Sequence, residues 1–162
     1  MSPCALCDAA LDPGRAGMVL FEDERLFAVL HEDWAVAGHA MLVWKGHLEN
    51  VSELTGEEAA HFMHSLWRVE RAILEATGAG RAILMKLGIH VPHLHVHLYP
   101  VSRELDRLAV MNIIEGRVAD GSSAVDRAAL AGDIRSLLYR TATGSSLERV
   151  REGSVFPTAT TT

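Results

Sequence analysis

Three histidines, His93, His95 and His97, alternate with Leu94, Val96 and Leu98 in a stretch bounded by Pro92 and Pro100. Near neutral pH a neutral imidazole is a nucleophile and a metal ligand, and a protonated one is a good leaving group. Strict alternation of apolar and polar residues predicts a β-strand, with all three imidazoles on one face and the aliphatics in the core. At a rise of roughly 3.3 Å per residue, neighbouring rings start about 7 Å apart and the outer pair about 13 Å apart. Two rings at i, i+2 can reach one metal ion, whereas the outer pair cannot do so unless the chain bends. Divided labour is therefore expected rather than a three-histidine cage.

The two cysteines, Cys4 and Cys7, form a CxxC pair near the N-terminus. A redox pair would sit between a strand and a helix, and no strand precedes this one. Two thiolates at this spacing can supply half of a tetrahedral zinc site. Taken alone, the spacing leaves zinc ligation and free thiols equally open. His61 and His64, three apart, could chelate a metal, but on a helix they read as an ordinary boundary pair.

The chain has 162 residues, 49% apolar, with a formal charge of −6. That length most simply makes one domain with a substantial core. The acidic balance argues against a nucleic-acid binder, which needs a basic surface to displace counterions. A small phosphorylated ligand held by a few local donors remains compatible with it. No apolar run approaches the ~20 residues that span a bilayer, so no membrane partner is expected. Met1 to Cys4 shows no basic segment followed by an apolar one, and the cytoplasm is the expected location.

Short apolar runs at Met18 to Glu22 and Arg25 to Leu30, joined by Asp23 and Glu24, predict a hairpin. Ala40 to Trp44 predicts a buried strand leading into Lys45, Gly46 and His47. Thr55 and Glu58 form a capping box for a helix with Ala59, Phe62, Met63, Leu66, Val69 and Ile73 on one face. Gly78 and Gly80 end that helix. Ala82 to Leu87 and His93 to Tyr99 are further strands, and a second helix covers about Val125 to Tyr139. Residues 1–140 are expected to form the domain, with a Ser/Thr/Gly-rich tail over 141–162. Antiparallel strands with two main helices make an α+β domain.

The segment His93-Leu94-His95-Val96-His97-Leu98-Tyr99 resembles the signature of the histidine triad (HIT) superfamily of nucleotide hydrolases and transferases. Phe21 to Ala28 resembles that family's opening hairpin, and Gly38 to Val51 its segment ending in a lysine-x-histidine. Leu87-Gly88 followed by Val91-Pro92-His93 matches a form common in bacterial and archaeal members. The resemblance covers Cys4 to Pro100. It implies an antiparallel five-stranded sheet extended across a homodimer, with a nucleotide bound over the histidine strand. His95 would attack an α-phosphate of a nucleoside phosphoramidate or dinucleoside polyphosphate to form a nucleotidyl-histidine, and His97 would donate to phosphate or leaving group. His39, Gly88, His90 and His31 fall at nucleotide-binding positions. Cys4, Cys7, His47 and His93 occupy the four positions of the zinc site found in some members, implying structural Zn2+ and no organic cofactor.

Several positions depart from the family pattern. His31 replaces the aspartate that holds the ribose hydroxyls, Ile83 or a neighbour replaces an asparagine, Ile89 replaces a polar residue, and Trp44 replaces a proline. These losses motivate an alternative, a zinc-stabilised nucleotide-binding protein with little turnover. A third reading places a catalytic metal on His93 and His95. Trp34, Trp44 and Trp67 could stack a base, with packing the simpler reading for Trp67, and the Phe62, Met63, Leu66 stripe is expected in the core.

Overall fold

The computed structural model describes residues 4–32, 35–117 and 125–143. In chain order the elements are α1 (Ala5–Leu11), β1 (Gly17–Glu22), β2 (Leu26–His31), β3 (Ala40–Trp44), α2 (Gly56–Thr77), β4 (Arg81–Met85), β5 (His95–Val101), α3 (Arg107–Ile114) and α4 (Arg127–Thr143). The five strands form one sheet in the order β1-β2-β3-β5-β4, and every neighbouring pair is antiparallel.

Local chemistry sets these boundaries. The Asp23 carboxylate accepts from the backbone N–H groups of Arg25 and Leu26 at 2.8 and 3.0 Å, closing the β1–β2 turn. At the start of α2 the Thr55 hydroxyl accepts from the Glu58 N–H, and the Glu58 carboxylate accepts from the Thr55 N–H at 2.8 Å. Gly78 ends the helix at φ +68°, a left-handed conformation that glycine takes without a Cβ penalty.

Alternation along the strands divides the interior between two faces. Leu26, Ala28, Leu30, Ala40, Leu42, Val96 and Leu98 pack against Phe62, Leu66, Val69 and Ile73 of α2 and Leu130, Ala131, Ile134 and Leu138 of α4. Phe27, Val29, Met41 and Val43 point the other way and meet Leu6 and Ala9 of α1. Farther along that second face, Tyr99 and Val101 meet Val110 and Ile113 of α3. His95 and His97 share the parity of Tyr99, so they open onto the α1 side, away from the two long helices.

The structure revises several expectations. Two further short helices, α1 and α3, join the two long ones. His93 precedes β5 and does not belong to it, and its ring leaves the row formed by the other two. Met63 is 54% exposed, because one residue of helical advance turns it about 100° from Phe62. Trp67 lies half exposed on the same outer stripe, near the His64 ring. Trp44 is buried against Phe62 on the sheet face opposite His95, where it cannot stack a base bound over the histidines. Trp34 lies outside the described residues. The second long helix runs on to Thr143, and the expected tail from 144 onward lies outside the described residues. No helix among the described residues is long and apolar enough to cross a membrane.

Candidate active site and metal centre

At the head of β5 the chain turns so that His93 faces the N-terminal cysteines. Its Nε2 donates to the Trp44 carbonyl at 2.6 Å. A neutral ring that donates from Nε2 keeps its Nδ1 lone pair free, and Nδ1 lies 3.5 Å from Cys4 Sγ and 3.6 Å from Cys7 Sγ. His47, delivered by the turn after β3, places its Nδ1 3.2 Å from Cys7 Sγ. The four ligand atoms of Cys4, Cys7, His47 and His93 all lie within 4.8 Å of one another. Two sulfurs and two nitrogens this close match a closed tetrahedral zinc site, and the second-nitrogen bond of His93 sets the tautomer a ligand needs. Desolvation and the neighbouring Cys4 hold the Cys7 thiol above its ordinary pKa; a bound cation would offset both effects and draw off the thiol protons.

His95 faces the opposite requirement. Its Nδ1 donates to the His93 carbonyl at 2.7 Å, which leaves the Nε2 lone pair for attack. Burial lowers its pKa, outweighing the opposing bond to the His93 carbonyl, so the ring is neutral at pH 7.

His97 is tied to a second chain of bonds. The Ala35 N–H donates to His39 Nδ1 at 3.4 Å, so a neutral His39 carries its proton on Nε2. That Nε2 lies 3.1 Å from His97 Nδ1, making His97 Nδ1 the acceptor and leaving its Nε2–H as a donor. Burial, then the nearby His95 and His31, push the His97 pKa down to about 4, which keeps this tautomer neutral. His39 is itself buried, stacked between His31 at 4.7 Å and Tyr99 at 4.2 Å between ring centroids.

These side chains open onto a cleft of about 520 Å3. His95, His97, His31, Glu32, Gly88 and His90 line it, together with Arg15 and with Ala5, Leu6, Asp8 and Ala9 of α1. Gly88 turns at φ +63°, where a glycine is unstrained. His39 stands behind His97 and does not line the cleft. Ile89 is 75% exposed at the rim, whereas Ile83 packs beside Tyr99 and α3. His61 pairs with Asp23 at 2.9 Å, far from either centre in role.

A HIT domain family model matches residues 15–104, more than half of the sequence. The chain belongs to the HIT family. The HIT chain is 35% identical over 86 residues to Protein hit of Bacillus subtilis, across 50% of this chain and 59% of that relative's length. Its fold is similar to that of a hypothetical histidine triad nucleotide-binding protein from Sulfolobus tokodaii, with TM-score 0.64, 21% identity, and 85% and 93% of the two chains covered. A Zn-bound histidine triad family protein from Mycobacterium smegmatis is also similar, with TM-score 0.62, 20% identity, and 86% and 96% covered. The family match ends before α3 and α4, whereas the likeness to these two structures covers more of the chain than the family match does.

Sequence reasoning missed three contributors. Nothing in the short run Ala5 to Leu11 announces a cleft wall, and Arg15 carries no local signal. Arg127 reaches across 96 positions to the His31 carbonyl, a contact no local pattern encodes.

Proposed function

We propose that this HIT protein is a nucleotidyl hydrolase or transferase acting on a nucleoside phosphoramidate or a dinucleoside polyphosphate. The observation that carries the reading is the tautomer of His95: its Nδ1 proton is committed to the His93 carbonyl at 2.7 Å, and its other nitrogen opens on the cleft. The Nε2 lone pair attacks the α-phosphorus as the bond to the leaving amine or phosphate breaks. An amine takes a proton as it departs. Water or another acceptor then attacks the same phosphorus, releasing the nucleotide and returning His95 to its neutral form. His97 holds a non-bridging oxygen or the leaving group through Nε2–H, and the turn at Gly88 brings backbone near the phosphoryl group. His39 acts through His97 by fixing its tautomer. Membership of the HIT family and the nucleotide-binding description of the Sulfolobus neighbour support the substrate class.

Zinc is proposed at Cys4, Cys7, His47 and His93, supported by the compact donor set and by the Zn-bound Mycobacterium neighbour. When bound it would be a structural ion, tying α1 to the head of β5. With His93 Nδ1 turned to the thiols, His95 stays free of metal and the third reading, a catalytic metal shared by both rings, loses its support.

A homodimer is proposed through β4, an outer strand of the sheet. Leu84 is 43% exposed and pairs with Leu98, so it stands on the α2 face of the sheet. A strand edge next to apolar surface suits a second copy.

The direct test is turnover of adenosine phosphoramidate and diadenosine polyphosphates by wild type and His95→Ala. The proposal expects a loss of about 10⁴-fold or more in the variant, and equal turnover by both would overturn it. The apolar Ile83 and Ile89 favour one other reading, a zinc-stabilised nucleotide-binding protein with little turnover. Calorimetry showing nucleotide binding without product would select it.

A further inference from the structure

We propose that Cys4 and Cys7 are a disulfide-forming pair, and that closing the disulfide empties the metal centre and weakens nucleotide binding in the adjoining cleft. This rests on the zinc and nucleotide readings above and adds a control that acts on both. Both cysteines are free and only partly buried, so a small oxidant can reach them. Their sulfurs, with the two imidazole nitrogens, lie within 4.8 Å of one another. Side-chain rotation from that separation approaches the ~2.05 Å of a disulfide. Hydrogen peroxide is the co-reactant. One thiolate attacks a peroxide oxygen, the O–O bond breaks, and the departing hydroxide takes a proton, leaving water and a sulfenic acid. The second thiolate attacks the sulfenic sulfur, the S–O bond breaks, and another water leaves as the S–S bond forms. Two electrons pass from the sulfurs to the peroxide. A disulfide sulfur no longer carries the negative charge that ligates a metal. Two of the four donors are then gone, and His47 and His93 alone do not make a closed site.

One short helix carries both the thiols and part of the cleft wall. Cys4 precedes α1 and Cys7 lies within it, while Ala5, Leu6, Asp8 and Ala9 line the cleft. A seven-residue helix has little stability of its own and is held by what it docks on. Its buried residues are Leu6 and Ala9, set against Phe27, Val29, Met41 and Val43. Met41 and Val43 pair with His97 and His95 between β3 and β5, so α1 lies beside the two histidines. The other hold is at its N-terminal end. There Cys4 Sγ and Cys7 Sγ lie 3.5 and 3.6 Å from His93 Nδ1, and Cys7 Sγ lies 3.2 Å from His47 Nδ1. Oxidation removes this second hold. It also releases the ring of His93, whose carbonyl accepts the His95 proton. Because coupling between two bound ligands is reciprocal, a bound nucleotide must in turn tighten the hold on the ion.

The test uses the full chain loaded with zinc, hydrogen peroxide as oxidant and AMP as the probe. Peroxide is expected to release the zinc to a chromogenic chelator, with peptide mapping placing a disulfide between Cys4 and Cys7. AMP affinity by calorimetry should fall about tenfold. Dithiothreitol with added zinc should restore both, which damage by methionine oxidation would not allow. Wild type stripped of zinc by a chelator and kept reduced should bind AMP as weakly as the oxidised chain. Saturating AMP should lower the fraction of zinc that a competing chelator removes. Cys4→Ser and Cys7→Ser should show the weak affinity before peroxide and no change after it. Zinc retained under peroxide, release without a Cys4–Cys7 disulfide, or an AMP affinity that oxidation leaves unchanged would overturn the proposal, while AMP binding still upholds the nucleotide reading. A reduced chain that takes up no zinc would overturn it together with the metal assignment. A zinc-loaded chain that does not bind AMP would overturn the nucleotide reading and, with it, the coupling.

Discussion

The carbonyl oxygen of His93 accepts the Nδ1 proton of His95 at 2.7 Å, while the ring of that same His93 turns Nδ1 toward Cys4 and Cys7. One residue thus joins the metal centre to the nucleophile, its side chain serving one and its main chain the other. Whatever fixes the His93 backbone also fixes the proton on His95.

This link predicts that metal and cleft are coupled in stability. Protein purified with zinc in the buffer is expected to carry one equivalent per chain by elemental analysis, and Cys4→Ser to carry much less. The variant's Tm should fall by about 5 °C or more, since a ligand bound only to the folded state stabilises it. Zinc-free wild type of unchanged Tm would contradict the assignment.

His97 predicts an acid limb in the stability curve. Its pKa in the folded chain is about 4 against an ordinary 6.5. Between those values the unfolded chain takes up a proton that the folded chain refuses, so stability falls as pH falls. The contribution is complete above about 6.5 and lost as pH drops toward about 4. Denaturant melts from about pH 7.5 down to about pH 4.5 should show a shallower slope for His97→Asn than for wild type. Parallel curves would contradict the buried neutral ring.

The His39–His97 bond predicts a graded effect on turnover. His39→Ala removes the donor to His97 Nδ1 and frees the ring to adopt the wrong tautomer. A loss of about 10-fold to 100-fold in kcat is expected, smaller than the 10²- to 10⁴-fold expected for His97→Ala. His39→Gln, which retains an N–H donor, should recover part of it. Equal effects of His39→Ala and His39→Gln would show that the bond does not set the proton.

The β4 edge predicts a self-associated chain. Sedimentation should give twice the monomer mass for wild type, and Leu84→Arg should shift it toward monomer by placing charge where apolar surface is covered. A monomeric wild type at micromolar concentration would refute the proposed dimer.

Much of the fold was legible because its signals are local. The capping box at Thr55 and Glu58, the stop at Gly78 and the alternation of β5 each announce an element within a few residues. The metal cluster was legible through a family resemblance alone, since Cys4 and His93 lie 89 positions apart. Three features escaped for a shared reason. His93 leaves the strand because its ring is held by the Trp44 carbonyl, Met63 turns outward by helical phase, and Arg127 meets His31 through tertiary packing. Each depends on what lies across the fold, and period or composition cannot supply that.

The most direct measurement is mass spectrometry of a rapidly quenched reaction with adenosine phosphoramidate, kept out of acid to preserve a phosphorus–nitrogen bond. An adenylyl adduct is expected on the peptide containing His95, localised to that ring and missing from His95→Ala. Steady turnover with no adduct on any histidine, or an adduct on His97 in its place, would contradict the account of His95 as the nucleophile.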